Sequence, residues 1–100
     1  MKYKELIINE KTHTNQANIE DILKNNNFYW LIDAEFEDAS IEIIKNTIIW
    51  NNGVWLNGIW EYGIWKNGIF HGIWKNGIFE NGEFKGVWES GIDNTKFINN

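Results

Sequence analysis

Three groups of side chains are of types that can do chemistry. Asp33, Glu35 and Glu37 alternate, with Asp38 and Glu42 close behind. On a strand the first three would share one face, where paired carboxylates serve acid-base catalysis or ligate a hard cation such as calcium. No glycine-bearing ligand loop accompanies them, so the reading is a solvated strand face opposite Ala34 and Phe36. His13 and His71 form the second group, one in a polar stretch and one at a shortened repeat corner. Ser40 and Ser90 lie at no spacing that would complete a triad or a zinc site with them. Both imidazoles are expected at the surface. None of the nine glycines sits between a strand and a helix opening on Lys-Ser or Lys-Thr, so no phosphate loop is present. The expectation is a protein that is not an enzyme, with no catalytic residue, metal ligand or cofactor.

The third group is aromatic. Trp55, Trp60, Trp65, Phe70, Trp74, Phe79, Phe84 and Trp88 each follow Val54, Ile59, Ile64, Ile69, Ile73, Ile78, Glu83 and Val87 in turn. Such rings can stack on sugars or cage a quaternary ammonium, but the favoured reading is that they fill a core. Every pair is preceded by a glycine, and all nine glycines fall between Gly53 and Gly91, in steps of five residues interrupted by two steps of four. From Gly58 onward the steps group as five, five and four, a superperiod of 14 residues.

A five-residue step cannot hold one face of a helix, and each glycine costs about 1 kcal/mol relative to alanine inside one. Five Asn-Gly steps invite a hairpin reading, but the strands between turns would be only about three residues, below the usual five or six. Corners are preferred over hairpins, each Asn-Gly supplying the positive φ of a bend and each Ile-Trp one short side of a β-solenoid coil. Alternation along a strand sends the aliphatic and aromatic rows to opposite faces. The sequence leaves open which row is inside, and the other needs a cover if it forms a contiguous apolar surface.

The five-residue step with a bulky apolar centre resembles pentapeptide-repeat proteins, which implies a right-handed, four-sided β-helix. This chain departs from that family in carrying Gly-Ile-Trp and in its two four-residue steps. The segment Gly63 to Gly72, reading G-IWKN-G-IFH-G, is similar to the core of MORN repeats, which implies a β-hairpin array acting in protein and membrane attachment; the usual longer period of that family is missing. In texture the array also resembles Gly-Trp-Asn-Gly arrays of phage proteins. These likenesses cover the array and imply fold more than activity.

The chain of 100 residues is short enough for one domain, read as an N-terminal cap over residues 1–49, the repeat array over 50–93 and a C-terminal tail over 94–100. In the cap, Lys2 to Ile8 reads as a strand, Thr12 to Asn15 as a polar loop, and Asn15 to Lys24 as a helix with acidic residues early and Lys24 late. Phe28 to Phe36 and Ile41 to Trp50 read as strands. The whole is expected to be mainly β, a solenoid-like array with a small α/β cap that closes its first coil.

Net charge is −5, all nine basic residues are lysine, and there is no cysteine. Lacking the bidentate fork of arginine and carrying an acidic excess, the chain is not expected to bind nucleic acid directly. No signal peptide or membrane-spanning run is visible, which leads to an expectation of a cytoplasmic or virion-associated protein with no membrane insertion. Sixteen Asn and seventeen Ile without Arg or Pro fit an AT-rich coding source such as a phage.

The leading functional expectation is a structural or protein-binding module that associates with itself or docks on a larger partner, as a virion component would. The ladder residues named for that role are Ile59, Ile64, Ile69, Ile73, Ile78, Trp55, Trp60, Trp65, Trp74 and Trp88. An acidic inhibitor that mimics nucleic-acid charge and a glycan-binding module are the alternatives.

Overall fold

In the N-terminal half, two hairpins set the frame, a short one and a long one. The computed structural model describes residues 1–95. Strand β1 (Tyr3–Ile8) turns through Asn9 and Glu10, both at positive φ, into β2 (Lys11–His13), a strand where a polar loop was expected. Helix α1 (Gln16–Asn25) starts at Asn15, whose side chain accepts the Asn18 amide at 3.0 Å and satisfies one of the donors orphaned at a helix start. Its first turn carries no acidic residue, contrary to expectation; Glu20 and Asp21 fall mid-helix. The Gln16 side chain clamps β1, accepting from the Tyr3 amide at 3.0 Å and donating to the Tyr3 carbonyl at 2.7 Å.

Two further expectations fail. The 28–36 stretch is not a strand: α2 (Tyr29–Asp33) occupies most of it, and β3 (Glu35–Ile44) begins only at its end. The 41–50 stretch is not continuous either, because Lys45 and Asn46, at φ 50° and 62°, reverse the chain from β3 into β4 (Thr47–Asn57). Strand β3 lies between β4, antiparallel, and β1, parallel.

From β4 onward the chain winds. The later strands are two-residue pieces: β5 (Ile59–Trp60), β6 (Ile64–Trp65), β7 (Ile69–Phe70), β8 (Ile73–Trp74), β9 (Ile78–Phe79), β10 (Glu83–Phe84), β11 (Val87–Trp88) and β12 (Ile92–Asp93). They pair in parallel along three columns. The first runs from Ile49–Trp50 of β4 through β6 and β9 to β12. The second runs from Val54–Trp55 of β4 through β7 to β10, and the third through β5, β8 and β11. Three sides therefore make one coil, and the 14-residue superperiod is the coil itself, as Ile59, Ile73 and Val87 in register show. The fold is a β-solenoid of about three turns. It is three-sided, which corrects the four-sided coil that the pentapeptide-repeat likeness implied, and its coils pair in parallel, unlike a hairpin array.

Each step of a column carries two ladder bonds. The Ile73 amide donates to the Gly58 carbonyl at 3.0 Å and the Lys75 amide to the Trp60 carbonyl at 2.9 Å, and the next coil repeats this with Val87 on Gly72 and Glu89 on Trp74. Two-residue strands suffice because every coil is held on three sides at once.

The interior is built of rings. Trp50, Trp55, Trp60, Trp65, Phe70, Trp74 and Phe79 have no solvent exposure. Along the columns they stack nearly parallel: Trp50 on Trp65 at 4.7 Å and 8°, and Trp60 on Trp74 at 5.1 Å and 7°, with Trp88 following at 5.3 Å and 5°. Around each coil they meet edge to face, as Trp65 does Phe70 at 90°. Both arrangements favour the ring quadrupole, so the triangular cross-section uses each preferred aromatic geometry in one direction.

The corners need glycine for close approach as much as for backbone freedom. Gly68 has φ 120°, and a Cβ there would overlap the carbonyl oxygen of Gly53 in the coil before it. The N-terminal elements close the first coil: Phe36 of β3 stacks on Trp55 at 5.4 Å, and Trp30 of α2 meets Trp60 edge-on at 5.2 Å. At the other end Phe84 and Trp88 are half-buried, and Asp93 takes the aromatic place of the first column. The tail expected over 94–100 lies outside the described residues from 96 onward.

Candidate functional site

With the rings inside, the aliphatic row of each column faces out. Ile59, Ile73 and Val87 form the third side at 43%, 37% and 60% exposure, in register from coil to coil. On the first side Ile64 and Ile78 are half-buried and Ile92 is exposed, and on the second Val54 and Ile69 are half-buried while Glu83 stands in the same row. The alternation of a strand allows no other outcome once the indoles fill the core. Of the ladder residues named from sequence, Ile59, Ile64, Ile69, Ile73 and Ile78 lie on the outer faces. Trp55, Trp60, Trp65 and Trp74 are enclosed, and Trp88 is partly covered. A partner approaching from the side meets the aliphatic rows and the charges beside them.

Those charges are ordered too. On the third side Glu61, Lys75 and Glu89 follow the three tryptophans, and Lys75 reaches Glu61 of the previous coil at 3.5 Å. Lys85 pairs with Glu83 at 3.6 Å on the second side. The last coil carries Glu80, Glu83 and Glu89, all exposed, whereas the first carries Glu61 alone among carboxylates.

The groups that suggested chemistry are dispersed. Asp33 ends α2 and does not share a strand face with Glu35 and Glu37, which point to solvent from β3; Asp38 sits at φ 55° where the β3–β4 register shifts. Glu35 accepts from the Asn57 side chain at 3.4 Å, joining the cap to the Asn57-Gly58 corner. Among the described residues no three acidic, His or Cys side chains are grouped to hold a metal. Ser40 is buried with its hydroxyl donating to Glu5 at 2.6 Å, Ser90 donates to the Lys75 carbonyl at 2.6 Å, and His71 is exposed at a corner.

Lys2 is a group the sequence reading passed over. Its amine donates to the Ile32 carbonyl at 2.7 Å and lies 4.9 Å over the Phe36 ring, and burial lowers its pKa against the raising effect of Glu20, Asp33 and Glu35. It ties β1 to α2, a structural role. Two grooves flank the cap. One of about 510 Å³ runs between β3 and the second side, lined by Lys4, Glu37, Asp38, Asn52 and Ile69 among others, and one of about 260 Å³ lies beside Trp30, Asp33 and Ile59. Both open broadly to solvent and mix carboxylates with aliphatic side chains.

No described helix is long and apolar enough to cross a membrane. Comparison with protein-family models, with curated proteins and with solved structures returned no match.

Proposed function

We propose that this chain is a non-enzymatic structural or protein-binding module whose outer aliphatic rows are its docking surface. The observation that carries the reading is the third side, where three aliphatic residues, each more than a third exposed, recur at coil spacing on a rigid frame. A row at strand spacing is a flat apolar strip, and such strips on soluble proteins mark contact surfaces. Self-association comes first because the strip is flanked by both signs of charge and can face a copy of itself; a larger assembly, such as a virion, is the second occupant. The likeness to pentapeptide and MORN repeats belongs to this proposal and extends to the role of a repeat scaffold for protein contact.

Light scattering tests it. The chain should exceed its monomer mass of 11.8 kDa at micromolar concentration, and Ile59→Lys with Ile73→Lys should return it to monomer with its fold intact. A wild-type chain that stays monomeric and binds no protein would refute the reading.

The acidic last coil supports the alternative of a charge-mimicking inhibitor, with Glu80, Glu83 and Glu89 as the mimic. Binding of that kind weakens steeply with added salt, whereas docking on the aliphatic strip barely responds. Glycan stacking has the least support, since the tryptophan faces of the array are taken up by one another.

A further inference from the structure

Each coil holds the next through its carbonyls. On the third side the Val87 amide donates to the Gly72 carbonyl at 2.9 Å and the Glu89 amide to that of Trp74 at 2.8 Å. On the second side Glu83 and Lys85 do the same to Gly68 and Phe70, at 2.9 and 2.7 Å. The carbonyls of Gly82, Phe84, Gly86 and Trp88 stand one coil on from those four acceptors, and among the described residues no amide reaches them. The rings of that coil are open on the same side. Trp74 is stacked on both faces, by Trp60 and Trp88, whereas among the described residues Trp88 stacks on Trp74 alone and Phe84 on Phe70 alone.

A second copy of the chain does not suit this end. The far end of a copy is closed by Phe36 over Trp55 and Trp30 over Trp60, and its like end brings the same exposed carboxylates, Glu83 and Glu89. The end is also small. The molecule is 40 Å long and 24 × 19 Å across, and a triangular face within that outline falls short of the roughly 800 Å² that each partner gives to a stable interface.

The coils below show what does suit it. Glu61, Lys75 and Glu89 share one rank of the third side, each two residues after the outward aliphatic residue, and Lys75 reaches back to Glu61 at 3.5 Å. Glu89 has no ion pair among the described residues. A cation in the same rank of a following coil would meet Glu89 as Lys75 meets Glu61.

We propose that this end takes an extended segment of a partner protein as a further coil. The segment donates its amides to the four open carbonyls, lays apolar side chains over Phe84 and Trp88, and sets a lysine or arginine above Glu89. In strand addition of this kind the main-chain bonds supply affinity and alternate side chains supply selection. Residues 96–100, five against the 14 of a coil, are too few to make that coil themselves. The surface is separate from the aliphatic strip of the third side and does not depend on it.

The test uses the whole chain and a 14-residue peptide with the sequence of residues 68–81, GIFHGIWKNGIFEN, whose lysine falls in the rank above Glu89 when it lies on the last coil. Fluorescence anisotropy of the labelled peptide reads binding, and amide chemical shifts of the protein locate it. The peptide should bind and move the amides of residues 82–90, and replacing its lysine by glutamate should weaken binding several-fold. Glu89→Lys should reverse that preference, so that the glutamate peptide binds several-fold better than the lysine one. A misfolded variant would lose both peptides and would not invert their order. No binding at millimolar concentration, shifts centred on Ile59 and Ile73, or a lysine preference that survives Glu89→Lys would overturn the proposal. So would concentration-dependent shifts of residues 82–90 without peptide, which would assign the end to a second copy.

Discussion

Replacing Trp74 by alanine removes the ring at the centre of the array. Trp74 has no exposed surface and stacks between Trp60 at 5.1 Å and Trp88 at 5.3 Å, and its edges meet Phe70, Phe79 and Trp65 at 5.6, 5.5 and 6.4 Å. Truncating a buried tryptophan costs about 3 to 5 kcal/mol through lost transfer energy and the cavity left behind. The upper part of that range applies here, because five ring neighbours each lose a contact worth about 0.5 to 1.5 kcal/mol beyond area burial and two-residue strands have little freedom to collapse inward. A domain of this size has only about 5 to 15 kcal/mol in total, so Trp74→Ala should unfold most of the array. The indole nitrogen tells the second half of the story. Among the described residues Trp74 Nε1 is buried with no hydrogen-bond partner, as are those of Trp50, Trp60 and Trp65. Phenylalanine removes that unsatisfied donor, whose burial costs about 1 to 3 kcal/mol, and keeps a stacked ring, so Trp74→Phe should cost only about 1 kcal/mol net. Urea unfolding followed by circular dichroism measures both. An alanine variant within about 1 kcal/mol of wild type would refute the closed aromatic core, and a phenylalanine variant as damaging as alanine would refute the account of the orphaned indole.

Glu83→Ile should leave the denaturant midpoint within about 0.5 kcal/mol, because Glu83 is exposed in the outer row beside Ile69, while light scattering should show increased association; a large gain in stability would mean the row is buried. Gly68→Ala should lose more than about 2 kcal/mol in the same assay, since it combines a positive φ with overlap on the Gly53 carbonyl, and a neutral result would contradict the corner stacking. Burial, then the neighbouring Glu20 carboxylate and the hydrogen bond to it, push the Tyr3 phenol well up. Its contribution is therefore complete below the ordinary tyrosine value of about 10 and falls away as the pH rises beyond it, when only the unfolded chain ionises. Tyr3→Phe should remove that alkaline loss, read as the difference between the two proteins' melting curves so that the opposite trend from Lys2 cancels; identical pH profiles would defeat the argument.

The array was legible because its signals are covalent facts. Glycine spacing named the corners, and the order of aliphatic before aromatic fixed two opposed rows. Three sides per coil were present in the 14-residue superperiod, yet the shortened steps at His71-Gly72 and Lys85-Gly86 read as interruptions, when they recur at one corner of the second and third coils. The sequence favoured the aromatic row inside, as it is, without fixing it, since the outcome depends on whether three rings can meet edge to face around the axis. The cap was read less well. Its turns use Asn9-Glu10 and Lys45-Asn46, pairs without glycine, so positive φ at four ordinary residues gave no warning. Phe28 to Asp33 has the composition of a strand but forms a helix that brings Trp30 over the first coil, a demand of tertiary packing that propensity does not record. The carboxylates at 33, 35 and 37 were read as solvated, and they are exposed, although the helix separates the first from the other two.

The register of this solenoid also sets a rule for how its gene can lengthen. Because Ile59, Ile73 and Val87 repeat on one side every 14 residues, a duplication of that length slips in a whole coil, extends the prism by about one strand spacing of 4.8 Å and returns every later side chain to its own column. A duplication of five residues, the unit most visible in the sequence, would instead turn everything after it by one side. The glycines would still meet glycines, but each charge would arrive on a face built for another. Such a protein grows by coils and not by motifs, and its history should be counted in multiples of the coil.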